Sequence, residues 1–328
     1  MKIAVLGSMK SGKSTFINSI VGFDMMPAQV EACTAKIITI EDKDDVKNFK
    51  IHFTDSKNKM SNELIVSGKK LRNFIQTWNN DKNVFTIYIK GNLKGLNNYK
   101  NKGITLLDTP GPDNYTDKTH KEVFDNFIHK KKFDCICIII DVTSLLSDAE
   151  DKIIKNVIES IKNTNLVDNL IFILNKIDEI DDNSMLNDLS EKLKDRIRNV
   201  YKIQDPKIYP VSAYAAKIFK KALGSIKISN KEFSDLKRFV SLFEPNDLQV
   251  PIEYSYRDFV FKVTECELKM RKKREYVEFP TKYKYFKTNN YEVMIRKKSF
   301  NSIQLYSCLK NTGIILIEDF LNKNILKS

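Results

Sequence analysis

The chain has no apolar run long enough to cross a bilayer: its longest strongly apolar run is Cys135–Ile140, whereas a spanning helix needs about 20 residues. Cysteine is scarce, and the five residues lack the spacing of a metal site, as expected of reduced thiols in a cytoplasm. Only 10 glycines and 8 prolines occur in 328 residues, with no Pro/Gly-rich linker, repeat or low-complexity tract. Because Met1 leads directly into a strand pattern, we expect no signal or transit segment.

Acidic residues are outnumbered by basic ones, with 42 Asp and Glu against 55 Lys and Arg and a formal net charge of +13. The hydrophobic content of 42% and the charged content of 30% are typical of a soluble globular protein. A local excess lies at 257–298, which holds 13 basic and 6 acidic residues. This stretch could bind an anionic membrane surface or, less favourably, nucleic acid, or it could simply be a solvated surface.

Residues 7–15 form a complete GxxxxGK[ST] pattern between an apolar run and a helical pattern. This strand–loop–helix context predicts a phosphate-binding loop, which we call the P-loop. We expect Lys13 to bridge the β- and γ-phosphates of a nucleotide and Ser14 to bind Mg²⁺, while the helix N-terminus adds positive charge. The predicted nucleotide-binding residues of this loop are Gly7, Ser8, Met9, Lys10, Ser11, Gly12, Lys13, Ser14 and Thr15.

Two further segments are candidates for sensing the γ-phosphate and Mg²⁺. Asp108-Thr109-Pro110-Gly111 follows an apolar run, so that Asp108 could hold Mg²⁺ through water and the Gly111 amide could contact the γ-phosphate. The other segment is a threonine between the first predicted helix and the second predicted strand, for which we prefer Thr34. Its hydroxyl would bind Mg²⁺, and its carbonyl could place the attacking water. Thr39 is the alternative, although it lies inside a strand pattern.

The base of the nucleotide is predicted by Asn175-Lys176-Ile177-Asp178. The Asp178 carboxylate can accept hydrogen bonds from N1–H and the exocyclic amine of guanine, whereas adenine offers no such pair of donors. We expect Asn175 to tie this segment to the P-loop and the Lys176 stem to lie over the base. Ser212-Ala213 would supply a backbone amide to guanine O6. The expected ligands are therefore GTP or GDP with Mg²⁺, in preference to adenine nucleotides.

Apolar strand patterns alternate with amphipathic helical patterns, which predicts a doubly wound α/β sheet. The predicted strands are 2–6, 36–40, 49–53, 84–89, 103–107, 134–140, 170–174 and 207–211. The predicted helices are 14–21, 68–79, 118–129, 148–161, 185–200 and 213–222, with 231–243, 252–272 and the tail also helical and 276–295 extended. The fold class is therefore an α/β P-loop NTPase G domain, mostly parallel, with extra strands and larger than small Ras-like domains.

The run from Gly7 to Gly22, followed by Met26-Pro27 and then Thr34, resembles bacterial dynamin-like GTPases. Asp108-Thr-Pro-Gly-Pro112 fits the same group, and the tail from Thr312 to Leu321 is similar to the helix that closes such a G domain. The resemblance implies hydrolysis of GTP to GDP and phosphate, stimulated by formation of a nucleotide-dependent homodimer. It also implies a membrane-associated or cell-surface-remodelling role, in the cytoplasm or at the inner face of the membrane.

The same resemblance implies one GTPase domain over residues 1–328. Its core would span 1–223, its closing helix 312–326, and an insertion would occupy 224–310. A helical stalk, which the resemblance also leads us to expect, is not visible in the sequence. We therefore prefer the hypothesis that the chain is a G-domain fragment of a longer protein.

Two positions depart from the pattern of related GTPases. Lys10 stands where guanylate-binding proteins carry an arginine finger and potassium-activated GTPases an asparagine, which makes Lys10 a candidate catalytic residue alongside Lys13, Thr34 and Gly111. The alternative is a solvated lysine on the rim of the loop. Pro112 stands where Ras-type enzymes have a water-positioning glutamine, so we expect slow turnover without dimerisation.

Two other functions remain open at this stage. A GTP-dependent switch could dock on RNA, a ribosome or a protein partner through residues 257–298. A protein that binds GTP without hydrolysing it is less consistent with the intact Lys13, Ser14, Thr34 and Asp108.

Overall fold

The computed structural model describes residues 1–27, 36–43, 48–93, 103–108, 132–145, 147–162, 164–180, 182–224, 226–244, 292–296 and 298–327. Several predictions lie outside these residues: Thr34, Gly111, Pro112, the helices at 118–129 and 252–272, and most of the basic stretch at 257–298. No helix in the described ranges is both long and apolar enough to span a bilayer.

The described residues form eleven strands and eight α-helices. The strands are β1 (Lys2–Gly7), β2 (Ile37–Asp42), β3 (Phe49–Thr54), β4 (Leu64–Val66), β5 (Thr86–Gly91), β6 (Thr105–Asp108), β7 (Cys135–Asp141), β8 (Leu170–Asn175), β9 (Lys207–Val211), β10 (Glu292–Ile295) and β11 (Lys298–Asn301). The helices are α1 (Lys13–Val21), α2 (Gly68–Asn80), α3 (Asp148–Ile161), α4 (Asn183–Tyr201), α5 (Ala213–Leu223), α6 (Asn230–Leu242), α7 (Ser302–Asn311) and α8 (Ile314–Lys327).

Nine strands form one sheet in the order β4-β3-β5-β2-β6-β1-β7-β8-β9, and β10 and β11 form a separate hairpin. Strand β1 pairs in parallel with β6 and β7, and β7, β8 and β9 continue the parallel arrangement. The carboxyl ends of these five strands therefore meet at one edge, which is where open α/β sheets bind ligands.

The central strands are buried on both faces, which explains why their sequences are continuous apolar runs. Every residue of β7 and β8 is buried. Helices cover the sheet with apolar stripes, such as Ile153, Ile154, Val157 and Ile161 on α3. Helix α3 begins at Asp148 because the Ser147 side chain accepts a hydrogen bond from the Glu150 amide, and acidic residues follow in the first turn.

The predicted fold class, a doubly wound and mostly parallel P-loop fold with extra strands, is confirmed. The sequence-based prediction missed the three-residue strand β4 and the strand β11, and it placed β5 two residues too early. Of the extended stretch predicted at 276–295, the structure describes only β10. The tail contains two helices, α7 and α8, which are separated by a turn at Thr312–Gly313.

Helices α6 and α7 pack against α5 and extend the core beyond the sheet. Phe239 and Phe243 are fully buried, and the Phe243 ring meets Phe219 of α5 edge to face with 6.4 Å between centroids. The Cys308 thiol of α7 is buried, and burial raises its pKa to about 12. The division of the domain into a core at 1–223, an insertion at 224–310 and a closing helix stays a prediction.

Candidate functional site

The P-loop runs from the end of β1 to the first turn of α1. Gly12 precedes the helix with a φ of 96°, in the left-handed region that favours glycine. A Cβ atom at Gly12 would collide with the amide nitrogen of Asn175, so the close approach of these two segments also requires glycine. No side chain caps the start of α1 in the described structure. The first amides of α1 are therefore available to an anion such as a phosphate.

Lys13 lies folded over the P-loop. Its ammonium donates hydrogen bonds to the carbonyl oxygens of Gly7, at 2.9 Å, and of Ser8, at 2.8 Å. The Ser11 hydroxyl also donates to the Ser8 carbonyl, at 2.9 Å, which fixes the loop from inside. The loop therefore holds the Lys13 charge at its centre, where the phosphates of a nucleotide are expected.

Lys10 lies in the same loop, three residues before Lys13. Its backbone is in the left-handed region, with a φ of 68°, and its side chain is exposed. The neighbouring Met9 is 47% exposed. Both predicted loop residues are therefore accessible to a ligand or to a partner that approaches the nucleotide face.

Asp108 ends β6 next to the P-loop strand. In the parallel pairing, Asp108 stands beside Val5 of β1, two residues before the P-loop begins at Gly7. Its side chain is largely buried, which is uncommon for an aspartate. The Asp108 carboxylate and the hydroxyl of Ser14, in the first turn of α1, are hard oxygen donors of the kind that Mg²⁺ prefers.

The Asn175 side chain connects the P-loop with the Ser212–Ala213 segment. Its amide nitrogen donates to the Ser11 carbonyl at 2.9 Å, and its amide oxygen accepts from the Ala213 amide at 3.1 Å. The side chain is almost fully buried. The predicted tie between Asn175 and the P-loop is thus present in the structure, and the same side chain also holds the Ser212–Ala213 segment.

Asp178 is fixed by a partner that the sequence reasoning missed. The Ser212 hydroxyl donates to one Asp178 carboxylate oxygen at 2.5 Å, while Ser212 also accepts from the Ala215 amide at 3.2 Å as the N-cap of α5. Only a backbone amide had been expected from Ser212–Ala213. A serine at a helix N-cap directly after a strand is the signal that could have indicated this side-chain role.

The other Asp178 oxygen lies 4.0 Å from a guanidinium nitrogen of Arg238, whose side chain is 57% exposed. Each carboxylate oxygen can accept two hydrogen bonds. Asp178 therefore retains acceptor capacity at both oxygens for a base that approaches from outside.

Lys176 is oriented by Asp141, the last residue of β7. The Lys176 ammonium lies 2.5 Å from an Asp141 carboxylate oxygen, and the Thr143 hydroxyl donates to the other oxygen at 2.7 Å. Burial acts to raise the pKa of Asp141, but the hydrogen bonds from Lys176 and Thr143 outweigh it and the pKa is lowered. Asp141 was not predicted, although a carboxylate at the end of a buried parallel strand could have indicated it.

The segment after α1 is anchored by polar side chains. The Asn18 side chain accepts hydrogen bonds from the amides of Met25 and Met26, at 3.0 and 2.7 Å. Asp24 pairs with Lys221 of α5 at 2.6 Å and with Lys217 at 2.9 Å. These contacts fix the chain on the approach to residues 28–35, which include Thr34. The preference for Thr34 over Thr39 stays a prediction, although Thr39 does lie within β2 and pairs with Leu107.

The sequence matches a known protein family and individual relatives. A model of the dynamin family matches residues 3–177, more than half of the 328 residues. A bacterial dynamin-like protein of Nostoc punctiforme is 43% identical over 56 residues, which are 17% of this chain and 8% of that protein. An uncharacterized protein of a Caldicellulosiruptor strain, encoded in the xynA 3′ region, is 29% identical over 244 residues, or 74% of this chain. The chain spans 54% of that second relative.

Among solved structures, the fold is similar to one described as an oligomerised bacterial dynamin pair that provides a mechanism for long-range sensing and tethering of membranes. The TM-score is 0.51 at 19% identity, and the match covers 74% of this chain and 38% of that one. At this level of identity the likeness concerns the fold.

Proposed function

Because the chain belongs to the dynamin family, we propose that it is a GTPase that binds GTP with Mg²⁺ and hydrolyses it to GDP and phosphate. One observation carries this proposal: the buried Asn175 side chain connects the P-loop carbonyl of Ser11 with the Ala213 amide. This side chain holds the proposed phosphate-binding and base-reading segments next to each other at the carboxyl edge of the sheet.

The base would be read by Asp178 and the loop beside it. The Asp178 carboxylate, held by Ser212, would accept hydrogen bonds from N1–H and the exocyclic amine of guanine. The aliphatic part of Lys176, whose ammonium is held by Asp141, would cover one face of the base. Adenine would leave the carboxylate unpaired, which disfavours ATP.

The phosphates would be held by the P-loop amides and by Lys13, which neutralise charge that develops on the γ-phosphate during hydrolysis. Ser14 and Asp108 would hold Mg²⁺, directly or through water, with Thr34 as the proposed third ligand. When bound, Mg²⁺ would supply further neutralisation of the β- and γ-phosphate oxygens. Thr34 and Gly111 would place the attacking water and contact the γ-phosphate.

We assign Lys10 a catalytic role as part of the same proposal. Its exposed ammonium could reach the oxygen between the β- and γ-phosphates, where charge builds up as the bond breaks. We expect Lys10→Ala to lower kcat for GTP about ten- to a hundredfold, and Lys10→Arg to retain most of the activity because the charge is kept. Steady-state phosphate release measures both, with Lys43→Ala as a control for loss of an exposed lysine. Wild-type turnover in Lys10→Ala would show that Lys10 is a solvated rim residue.

We also propose that hydrolysis is stimulated when two copies pair across the nucleotide face. The pairing would compensate for Pro112, which cannot orient water as a glutamine would. The rate per mole of protein should then rise at least severalfold over a hundredfold increase in concentration, because pairing follows mass action. Phosphate release at saturating GTP measures this rise. A rate per mole that stays constant over that range would contradict stimulation by pairing while leaving GTP hydrolysis intact.

The cellular location of this activity is proposed from the similar structure. The similar solved structure is described as an oligomerised bacterial dynamin pair concerned with membranes, so we propose a peripheral role at a membrane surface. Docking on RNA or a ribosome through residues 257–298 remains the alternative prediction, and the structure describes only 292–296 and 298 of that stretch.

A further inference from the structure

The turn between α7 and α8 contacts the loop that would read guanine. The carbonyl of Thr312 accepts a hydrogen bond from the Ser212 amide at 2.9 Å, although the two residues are 100 positions apart. Gly313 follows with a φ of 80°, in the left-handed region. A Cβ atom at Gly313 would collide with the carbonyl oxygen of Pro210 in β9. The turn therefore lies directly against the strand and the loop that position Ser212.

The turn itself is fixed by its own hydrogen bonds. The Thr312 hydroxyl donates to the Leu309 carbonyl at 2.6 Å, and the Thr312 amide donates to the Cys308 carbonyl at 3.1 Å. The Gly313 amide donates to the Lys310 carbonyl, also at 3.1 Å. Thr312 is fully buried. The Thr312 carbonyl is consequently held in one direction, toward the Ser212 amide.

Helix α8 is in turn anchored to both α5 and α1. Lys220 of α5 is fully buried and forms an ion pair with Glu318 of α8. Burial lowers the pKa of Lys220, although the Glu318 carboxylate acts in the opposite direction. The Lys220 ammonium also donates to the carbonyl of Ile20, near the end of α1, at 3.3 Å. The turn is thus connected to the helix that follows the P-loop as well as to the guanine-reading loop.

We propose that the Thr312–Gly313 turn is a specificity-determining positioning element for the guanine base. It acts through Ser212, whose amide is held by Thr312 and whose hydroxyl holds Asp178. A shift of the turn moves Ser212 and so misdirects the carboxylate that distinguishes guanine from other bases. This inference rests on the proposed GTP-binding function. It adds residues from the last part of the chain to a site whose predicted residues all lie between Gly7 and Ala213.

The test compares GDP with inosine diphosphate, which lacks the exocyclic amine but has the same phosphates. In Gly313→Ala the added Cβ displaces the turn, so we expect the preference for GDP over inosine diphosphate to fall about tenfold. In steady state, KM for GTP should rise while kcat changes little, because the phosphate-binding residues are untouched. Calorimetry with both diphosphates measures the preference, and circular dichroism monitors folding.

Two further variants separate positioning from general loss of stability. Leu321→Ala removes a buried side chain from α8 without touching the turn and should keep the preference for GDP. Thr312→Ala removes the hydroxyl that fixes the turn and should lower the preference more mildly, whereas Thr312→Ser keeps the hydroxyl and should restore it. The Thr312 variants serve as the test if Gly313→Ala does not fold.

The outcomes distinguish this inference from the proposed function. If the wild-type chain binds neither GDP nor GTP, the proposed function is wrong. If the wild-type chain prefers GDP and folded Gly313→Ala or Thr312→Ala keeps that preference, the turn does not position the base and the inference is wrong. An equal loss in Leu321→Ala would likewise overturn it.

Discussion

Replacing Asp178 by asparagine should lower the affinity for GTP by a factor of about 10² to 10⁴ and create affinity for xanthosine triphosphate. The Ser212 hydroxyl donates to one Asp178 oxygen, so it would also select the orientation of the new amide. The amide oxygen would stay beside Ser212 and the amide nitrogen would face the base. That nitrogen would then donate a hydrogen bond to the 2-oxo group of xanthine. With guanine it would face the exocyclic amine, which is also a donor, so no hydrogen bond could form there.

Titration of each triphosphate into wild type and Asp178→Asn measures this exchange. Asp188→Asn is the matched control, since Asp188 is exposed on α4 and lies outside the predicted nucleotide motifs. If Asp178→Asn loses GTP binding and does not gain binding of xanthosine triphosphate, the substitution has disrupted the nucleotide site rather than changed its base preference. Unaltered GTP affinity would show that Asp178 does not read the base.

Replacing Lys13 by alanine should reduce GTP turnover by about three orders of magnitude. The structure holds the Lys13 ammonium against the carbonyls of Gly7 and Ser8, so its charge is in place before a nucleotide arrives. Alanine would remove that charge and leave the amides of the P-loop as the main phosphate contacts. The affinity for GDP should fall as well, because the β-phosphate loses the same partner.

Single-turnover phosphate release and GDP titration measure the two effects of Lys13→Ala. Lys57→Ala, in the exposed turn after β3, provides a lysine deletion away from the site. Turnover within about tenfold of wild type would contradict the assigned role of Lys13 in charge neutralisation.

Local sequence patterns were sufficient to predict the central sheet, and they named the candidate nucleotide segments, whose role stays a prediction. The P-loop, Asp108 and Asn175-Lys176-Ile177-Asp178 each lie at the carboxyl end of a buried strand, and parallel pairing brings those strand ends together. The continuous apolar runs at 134–140 and 170–174 predicted buried strands, and β7 and β8 are buried along their whole length. The match to the dynamin family agrees with the class of enzyme that these motifs indicated.

Local sequence patterns did not predict the contacts between residues that are far apart in the chain. The bond from Ser212 to Thr312 joins residues 100 positions apart, and no local signal in either segment specifies the partner. The orientation of Lys176 by Asp141 is a similar case, across 35 positions. Strand β4 was missed for a different reason: its three residues are too few to show an alternating pattern, and its residues Leu64 and Ile65 are exposed.

GTP-specific hydrolysis is tested most directly by the rate of phosphate release from GTP, ATP and xanthosine triphosphate, measured with Mg²⁺ for wild type and for Asp178→Asn. We expect wild type to hydrolyse GTP far faster than ATP, and Asp178→Asn to lose GTP hydrolysis and gain hydrolysis of xanthosine triphosphate. Equal rates with GTP and ATP in wild type, or no release from GTP under any condition that gives GTP binding, would contradict a GTP-specific hydrolase.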